Sequence, residues 1–358
     1  MSVFMNEQFE RTNYFDKSSI HRIGIVRALY LGDMPCCIPA VRALRAAFPN
    51  AIITLIGLPW EKYFAERFQH YFNAFIEFPG WPGLPEQEIV PKRIVTFLKE
   101  MQQQRFDLVV QMQGNGSLTN SMCMLFNARY TAGLRLAGDY TPDEILFPIS
   151  DDTEHEILRF LKITDALGIP QQGTMLEFPI LPKEYENFTI MREQLNLQPG
   201  KYICMHPGAR NPLRRWSPEN FAAIANSIGE QGYTIVLTGS QEEASILQDV
   251  ASRIIYPVTN IVETLGHIDI GELALIMKNS ALLISNDTGV SHVAAALDIP
   301  SIIIFSIYSK IERWAPLDTF LHRIISADKA KDVRYVLRNV TELLSRSAAT
   351  SPEVSNSF

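Results

Sequence analysis

Short apolar runs along this chain alternate with segments in which apolar positions recur every three or four residues, the pattern of buried strands separated by amphipathic helices. From His21, RIGIVRAL reads as a buried strand, LGDMPC as a turn and IPAVRALRAAF as a helix stopped at Phe48-Pro49-Asn50, with AIITLIGL as the next strand. This is a β-α-β unit. WEKYFAERFQHYF and PKRIVTFLKEMQQQ read as further helices, FNAFIEF as a short strand and FDLVVQMQ as a buried one, while GNGSLTNSMCMLFNA is a Gly-rich turn entering a helix. EHEILRFLKITDALGI closes the first half as a helix.

The second half repeats the alternation without repeating the sequence. YENFTIMREQLNL is a helix, KYICMHPG a strand breaking at Pro207-Gly208, and SPENFAAIANSIGEQG a helix with Ser217 as N-cap and Pro218 at its first position. YTIVLTG is a strand and IGELALIMKNS a helix; ALLISNDTGVSHVAAALDIPSIIIFS then spells strand, turn, helix, strand, before a last helix, DVRYVLRNVTELLSRS. The fold class expected is α/β, with two doubly wound, Rossmann-like parallel sheets. The expected segments are an N-terminal extension over 1–20, one domain over 21–176, a second over 177–345 and a disordered tail over 346–358.

Three polar loops of the second half, HPGARNPLRRW, TGSQEE and SNDTG, follow predicted strands, and ligands of open parallel sheets bind at that edge. In SNDTG, the residues Asn286, Asp287 and Thr288 are N-cap types, and the amides and dipole of a helix start favour a phosphate. Gly208 and Ala209 offer amides, Arg214 and Arg215 offer forks suited to a diphosphate, and Glu243 offers an acceptor for sugar hydroxyls. The plain alternatives are a solvated surface pair for the arginines and a helix-dipole carboxylate for Glu243. His206 is expected to end a strand and shape its loop, and His292 to contact a phosphate or to pack against the neighbouring loop. Gly114-Asn115-Gly116 lacks the third glycine of a dinucleotide fingerprint.

Composition narrows the partners. Acidic residues outnumber basic ones, 39 against 32, for a net charge of -7, which argues against nucleic acid. The four cysteines form no C-x-x-C pair, and no H-E-x-x-H or paired-histidine spacing occurs, so neither a disulfide framework nor a metal site is expected. No apolar run approaches the roughly 18–20 residues that span a bilayer, and the N-terminus is too polar for a signal peptide. The expectation is a soluble cytoplasmic protein, with peripheral contact at the inner face of a membrane left open.

LGDMPCCIPAVRALRAAFPNAIITLIG, MHPGARNPLRRWSPENFAAIA, LTGSQEE and SNDTGVSHVAAALDIPSIIIFS resemble, in order from about Arg22 to Trp314, the successive motifs of glycosyltransferase family 9, best known for ADP-heptose:lipopolysaccharide heptosyltransferases. The resemblance implies GT-B architecture: two Rossmann-like domains facing across a cleft, with the nucleotide-sugar donor on the second and a glycan or glycolipid acceptor on the first. It implies inverting, metal-independent transfer with no cofactor, an ADP-sugar being the favoured substrate. Asp33 falls on the proposed general base, Arg214 on the basic residue before the tryptophan, and Glu243 on the acid of the Gly-Ser-x-x-Glu loop. Asp287, Thr288, Gly289 and His292 fall on the Asp-Thr-Gly loop and its histidine; Gly208 and Ala209 join the donor side, and Gly32, Met34, Gln113 and Asn115 are the acceptor-side candidates. The family commonly has lysine where Arg214 stands. For Asp33 the plain alternative is an N-cap on the helix starting near Pro35. Two competing functions use the same fold, a nucleotide-sugar epimerase and a catalytically silent donor-binding homologue.

Overall fold

Strands of a parallel sheet that carries helices on both faces must be apolar on both sides, and the runs read from the sequence behave this way: Ile23 to Val26, Leu108 to Gln111 and Tyr202 to His206 are buried throughout. The computed structural model describes residues 15–350, and the side chains of residues 15–346. The chain divides into two compact units between Pro179 and Ile180.

The first unit holds β1 (Arg22–Val26), β2 (Ile52–Gly57), β3 (Ala74–Glu77), β4 (Leu108–Gln111) and β5 (Tyr130–Ala132) in the order β3-β2-β1-β4-β5, every neighbouring pair parallel. The chain works outward from β1 to β3 and then crosses to β4, so its direction reverses between β1 and β4. In open parallel sheets ligands bind at such a reversal, outside the carboxyl ends of the strands. On one face, helices Pro91–Gln104 and Thr119–Met124 cover a core in which Phe97 meets Phe78 and Phe126 edge-on, at ring separations of 5.9 and 5.5 Å. Helix Ile38–Ala47 ends where Phe48 precedes Pro49, as the sequence indicated. Residues 1–14 of the expected extension lie outside the described residues. Phe15 is buried against Phe48 and Tyr130, with centroids 6.3 and 5.0 Å away.

The second unit holds β6 (Tyr202–His206), β7 (Thr234–Leu237), β8 (Val258–Asn260), β9 (Leu282–Asn286), β10 (Ser301–Ile304) and β11 (His322–Ile325) in the order β11-β10-β9-β6-β7-β8, again parallel. Its reversal lies between β6 and β9. Helix Pro218–Gly229 starts as the sequence indicated, Ser217 Oγ accepting from Asn220 N at 3.3 Å. With the terminal helix Val333–Thr350 it packs Phe221, Ile224, Ile228, Val336 and Val340 on the apolar faces of β6, β7, β9 and β10. That terminal helix continues through residues 346–350, where a tail was expected, and residues 351–358 lie outside the described residues. The short strands β5 and β11 escaped the sequence reading because Tyr130–Ala132 and His322–Ile325 present no apolar run long enough to register.

All four cysteines are free and buried, and burial pushes the thiols of Cys37 and Cys204 up to about 12. Among the described residues no helix is long and apolar enough to cross a membrane.

Phe221 is fully buried and meets Trp216 edge-on at 5.2 Å. Phe221→Ala is expected to cost about 3–5 kcal/mol, read as a lowered midpoint in urea unfolding.

Candidate functional site

In the second unit the site is assembled by one amide side chain. Asn286, the last residue of β9, is fully buried; its Nδ2 donates to Pro207 O at 2.8 Å and Gly208 O at 3.2 Å, and its Oδ1 accepts from Trp216 N at 2.9 Å. Both ends of the loop after β6 are thereby tied to the neighbouring strand across the sheet's reversal point. Asn286 was read as a helix-capping type; it is instead a strand residue, because β9 runs two residues beyond the apolar run Ala281–Ile284 that announced it. Within the loop, Arg215 Nε closes back on Ala209 O at 2.9 Å, and Trp216 Nε1 is anchored to Ala330 O at 3.1 Å.

Those bonds orient Arg214 and Arg215 differently. Arg215 is engaged in holding the loop, whereas Arg214 Nη1 lies 3.6 Å from Asp287 Oδ2, and its Nε is buried with no hydrogen-bond partner among the described residues. Asp287 is itself buried, so the ion pair aims the guanidinium at the start of helix Gly289–Ala296. Thr288 occupies the N-cap of that helix in an extended conformation without a side-chain capping bond, and its hydroxyl leaves the first-turn amides to other acceptors. Beside this point a cavity of about 300 Å³ is lined by Arg214, Arg215, Ser217, Ser306 and Lys331 among others.

Of the two roles weighed for Glu243, the geometry shows that of the first-turn carboxylate. Its Oε2 accepts from Ser240 N at 2.9 Å in a capping box, while the carboxylate lies so close to Gly208 that a Cβ there would sit 2.2 Å from Oε1. Gly208 is thus required for close approach. His206 ends β6 as expected, with Nδ1 3.0 Å from Thr238 Oγ1 and Nε2 3.8 Å from Glu243 Oε2; burial lowers its pKa, and Glu243 only partly opposes this. His292 is buried and meets the Trp314 ring edge-on at 5.9 Å.

The first unit braces its own loop at the β1/β4 reversal. Gln113 Oε1 accepts from Ala28 N at 2.7 Å, Glu61 Oε1 accepts from Leu29 N at 2.8 Å, and Trp60 Nε1 donates to Leu29 O at 3.2 Å. Glu61 is buried, and burial pushes its carboxyl up to about 8. The loop then turns through Gly32 to Asp33, which stands at the start of the short helix Met34–Cys37 but makes no side-chain capping bond to it. The capping alternative weighed for Asp33 is therefore not what its carboxylate does. Met34 is fully buried and Gln113 nearly so, with its amide oxygen taken by Ala28, while Asn115 Oδ1 accepts from Ser117 N at 3.1 Å in a turn.

Several residues that shape these loops were not singled out from sequence: Glu61, Arg27, Glu156 and Arg159. A signal existed for three of them. Arg27 interrupts an apolar strand run, and Glu156 and Arg159 lie on the same helix face as the buried Phe160, Ile163 and Leu167.

Comparison with known proteins bears on the family and the fold. A family model described as Glycosyltransferase family 9 (heptosyltransferase) matches residues 94–338. The chain is 22% identical to lipopolysaccharide heptosyltransferase 2 of Salmonella typhimurium over 343 residues, covering 89% of this chain and 95% of that protein. Among solved structures, a family 9 glycosyltransferase from Veillonella parvula superposes with a TM-score of 0.72 at 18% identity, over 93% of this chain and 99% of that one. The E. coli ADP-heptose lps heptosyltransferase II does so with a TM-score of 0.69 at 19% identity, over 92% and 100%.

Asn286→Ala orphans three buried backbone groups at once; the expected loss is about 2–4 kcal/mol of stability, measured by urea unfolding, with the loop after β6 gaining hydrogen exchange first.

Proposed function

The chain belongs to glycosyltransferase family 9 and is heptosyltransferase-like, and we propose that it moves a sugar from an ADP-sugar to a hydroxyl of a glycan or lipopolysaccharide-type acceptor, with inversion and without a metal. The observation that carries this reading is the Arg214–Asp287 pair just before the start of helix Gly289–Ala296, where Thr288 makes no side-chain capping bond. A diphosphate leaving group gathers negative charge as the glycosidic bond breaks, and fixed amides and a guanidinium aimed at that position stabilise it. The amides of Thr288 and Gly289 serve this role together with Arg214, and Asp287 acts by holding Arg214. Gly208 and Ala209 line the same approach, and the Glu243 oxygen left over from the capping box accepts a sugar hydroxyl.

Asp33 is the general base. The acceptor hydroxyl attacks the anomeric carbon from the face opposite the diphosphate; the new C–O bond forms as the old one breaks, and the hydroxyl proton passes to the Asp33 carboxylate. Gly32 and Asn115 are the loop positions that would meet the acceptor, while the buried Met34 and Gln113 act by supporting that loop. ADP is favoured as the carrier because the structurally similar E. coli protein is an ADP-heptose enzyme. An acceptor anchored in a lipid surface would bring the chain to the inner face of a membrane as a peripheral visitor.

Two measurements test the reading. Arg214→Ala is expected to weaken ADP binding by roughly 1.5–3 kcal/mol, the scale of a charge-assisted bond, in calorimetry; an unchanged dissociation constant would remove Arg214 from the donor site. Asp33→Asn is expected to lower kcat for heptosyl transfer by roughly 10²–10⁴ while ADP affinity stays at the wild-type value. Turnover within a few-fold of wild type would show that another group takes the proton.

A further inference from the structure

The carbonyls of Asp33 and Gly114 belong to loops that leave the adjacent strands β1 and β4, and one buried line of charged side chains joins them. Arg27 donates through Nη2 to Asp33 O and through Nη1 to Met112 O at 2.8 Å, and Nη1 also lies 3.5 Å from Glu156 Oε1. Glu156 Oε2 accepts from Arg159 Nη1 at 3.0 Å, and Arg159 Nη2 donates to Gly114 O at 3.3 Å. Ser150 Oγ accepts from Arg159 Nε at 2.9 Å, and the Arg27 guanidinium carbon stacks 4.5 Å from the Phe160 ring centroid. Arg27 and Arg159 are 0% exposed and Glu156 1%.

Two buried guanidiniums share one buried carboxylate, with Asp152 a more distant and half-exposed counter-charge 4.0 Å from Arg159. Apolar side chains of similar volume would fasten helix Glu156–Ala166 to the sheet at least as well, so stability alone does not account for the arrangement. Geometry does. A guanidinium is a rigid planar fork, and here each fork sets one prong on the shared carboxylate and another on a loop carbonyl. The other titratable groups around Arg27 are the Asp33 carboxylate, which adds to the negative charge facing it, and the buried Glu61, Cys36 and Cys37.

We propose that Arg27, Glu156 and Arg159 form a buried strut that holds the Asp33 loop and the Gly114–Asn115 loop in one fixed relation, with Glu156 the positioning residue on which both ends depend. Its bearing on the reaction rests on the reading of Asp33 as the base. The strut keeps the proton acceptor and the neighbouring acceptor-side loop from moving independently, so that a hydroxyl placed against one is correctly placed against the other.

The decisive variant is Arg159→Lys, which keeps the charge and touches nothing in the Asp33 loop. Hydrogen–deuterium exchange on the full chain is expected to rise about tenfold in residues 113–117 and also in residues 31–34, at the far end of the strut. In transfer assays with ADP-heptose and heptose-deficient lipopolysaccharide, kcat is expected to fall at least about tenfold, with ADP affinity unchanged. If exchange rises at 113–117 and stays within twofold of wild type at 31–34, the two ends are separate bonds and the strut is refuted. Should Arg159→Lys not fold, Glu156→Gln must loosen both loops together, and loosening of one alone refutes the strut equally. Asp33→Asn separates the two claims: retained turnover in that variant sinks the base assignment, while the exchange experiment still decides the strut.

Discussion

Everything placed at the working edges of this molecule depends on one constraint of parallel sheets. All strands end on the same side, and the backbone groups that leave the ladder there must find partners away from the sheet. The second unit meets the constraint with a single neutral amide: Asn286 satisfies two carbonyls and one amide of the loop after β6. Arg215 adds one tie within the loop, to Ala209 O, and Arg214 pairs with Asp287 at the helix start.

The first unit answers the same constraint with charge. Gln113 and Glu61 take the amides of Ala28 and Leu29, and Arg27 takes the carbonyls of Asp33 and Met112. A carboxylate acceptor of this kind is expensive to bury, and Glu61 shows the expense directly, burial pushing its carboxyl up to about 8. The two halves thus share a topology and a problem but not a solution.

Much of this was legible in the chain before any coordinates. The apolar runs located the principal strands, Ser217-Pro218 located a helix start, and four ordered motifs pointed to the family that the comparison supports. What stayed hidden has a common physical cause. Asn286 sat in a stretch rich in helix-capping residue types, and only the register of β9 against β6 and β10, with His206 opposite Ser285 and Ile304 opposite Asn286, turns its side chain to the loop. Glu61, Arg27, Glu156 and Arg159 act through partners tens of residues away in sequence, and no local pattern encodes such a pairing. Composition and periodicity find surfaces that must be buried; they do not find which buried polar group answers which.

The four thiols add a property of a different kind. Each is sealed in a core, Cys36 and Cys37 in the short helix that follows Asp33, Cys123 in the helix after β4 and Cys204 in the middle of β6. A thiol with its pKa raised by burial has almost no thiolate, and an alkylating reagent meets it only when the surrounding structure opens. The native chain therefore carries internal reporters in both units: the rate at which each cysteine is modified counts the openings of its own neighbourhood, and the Cys36–Cys37 pair times the excursions of the segment that begins at Asp33.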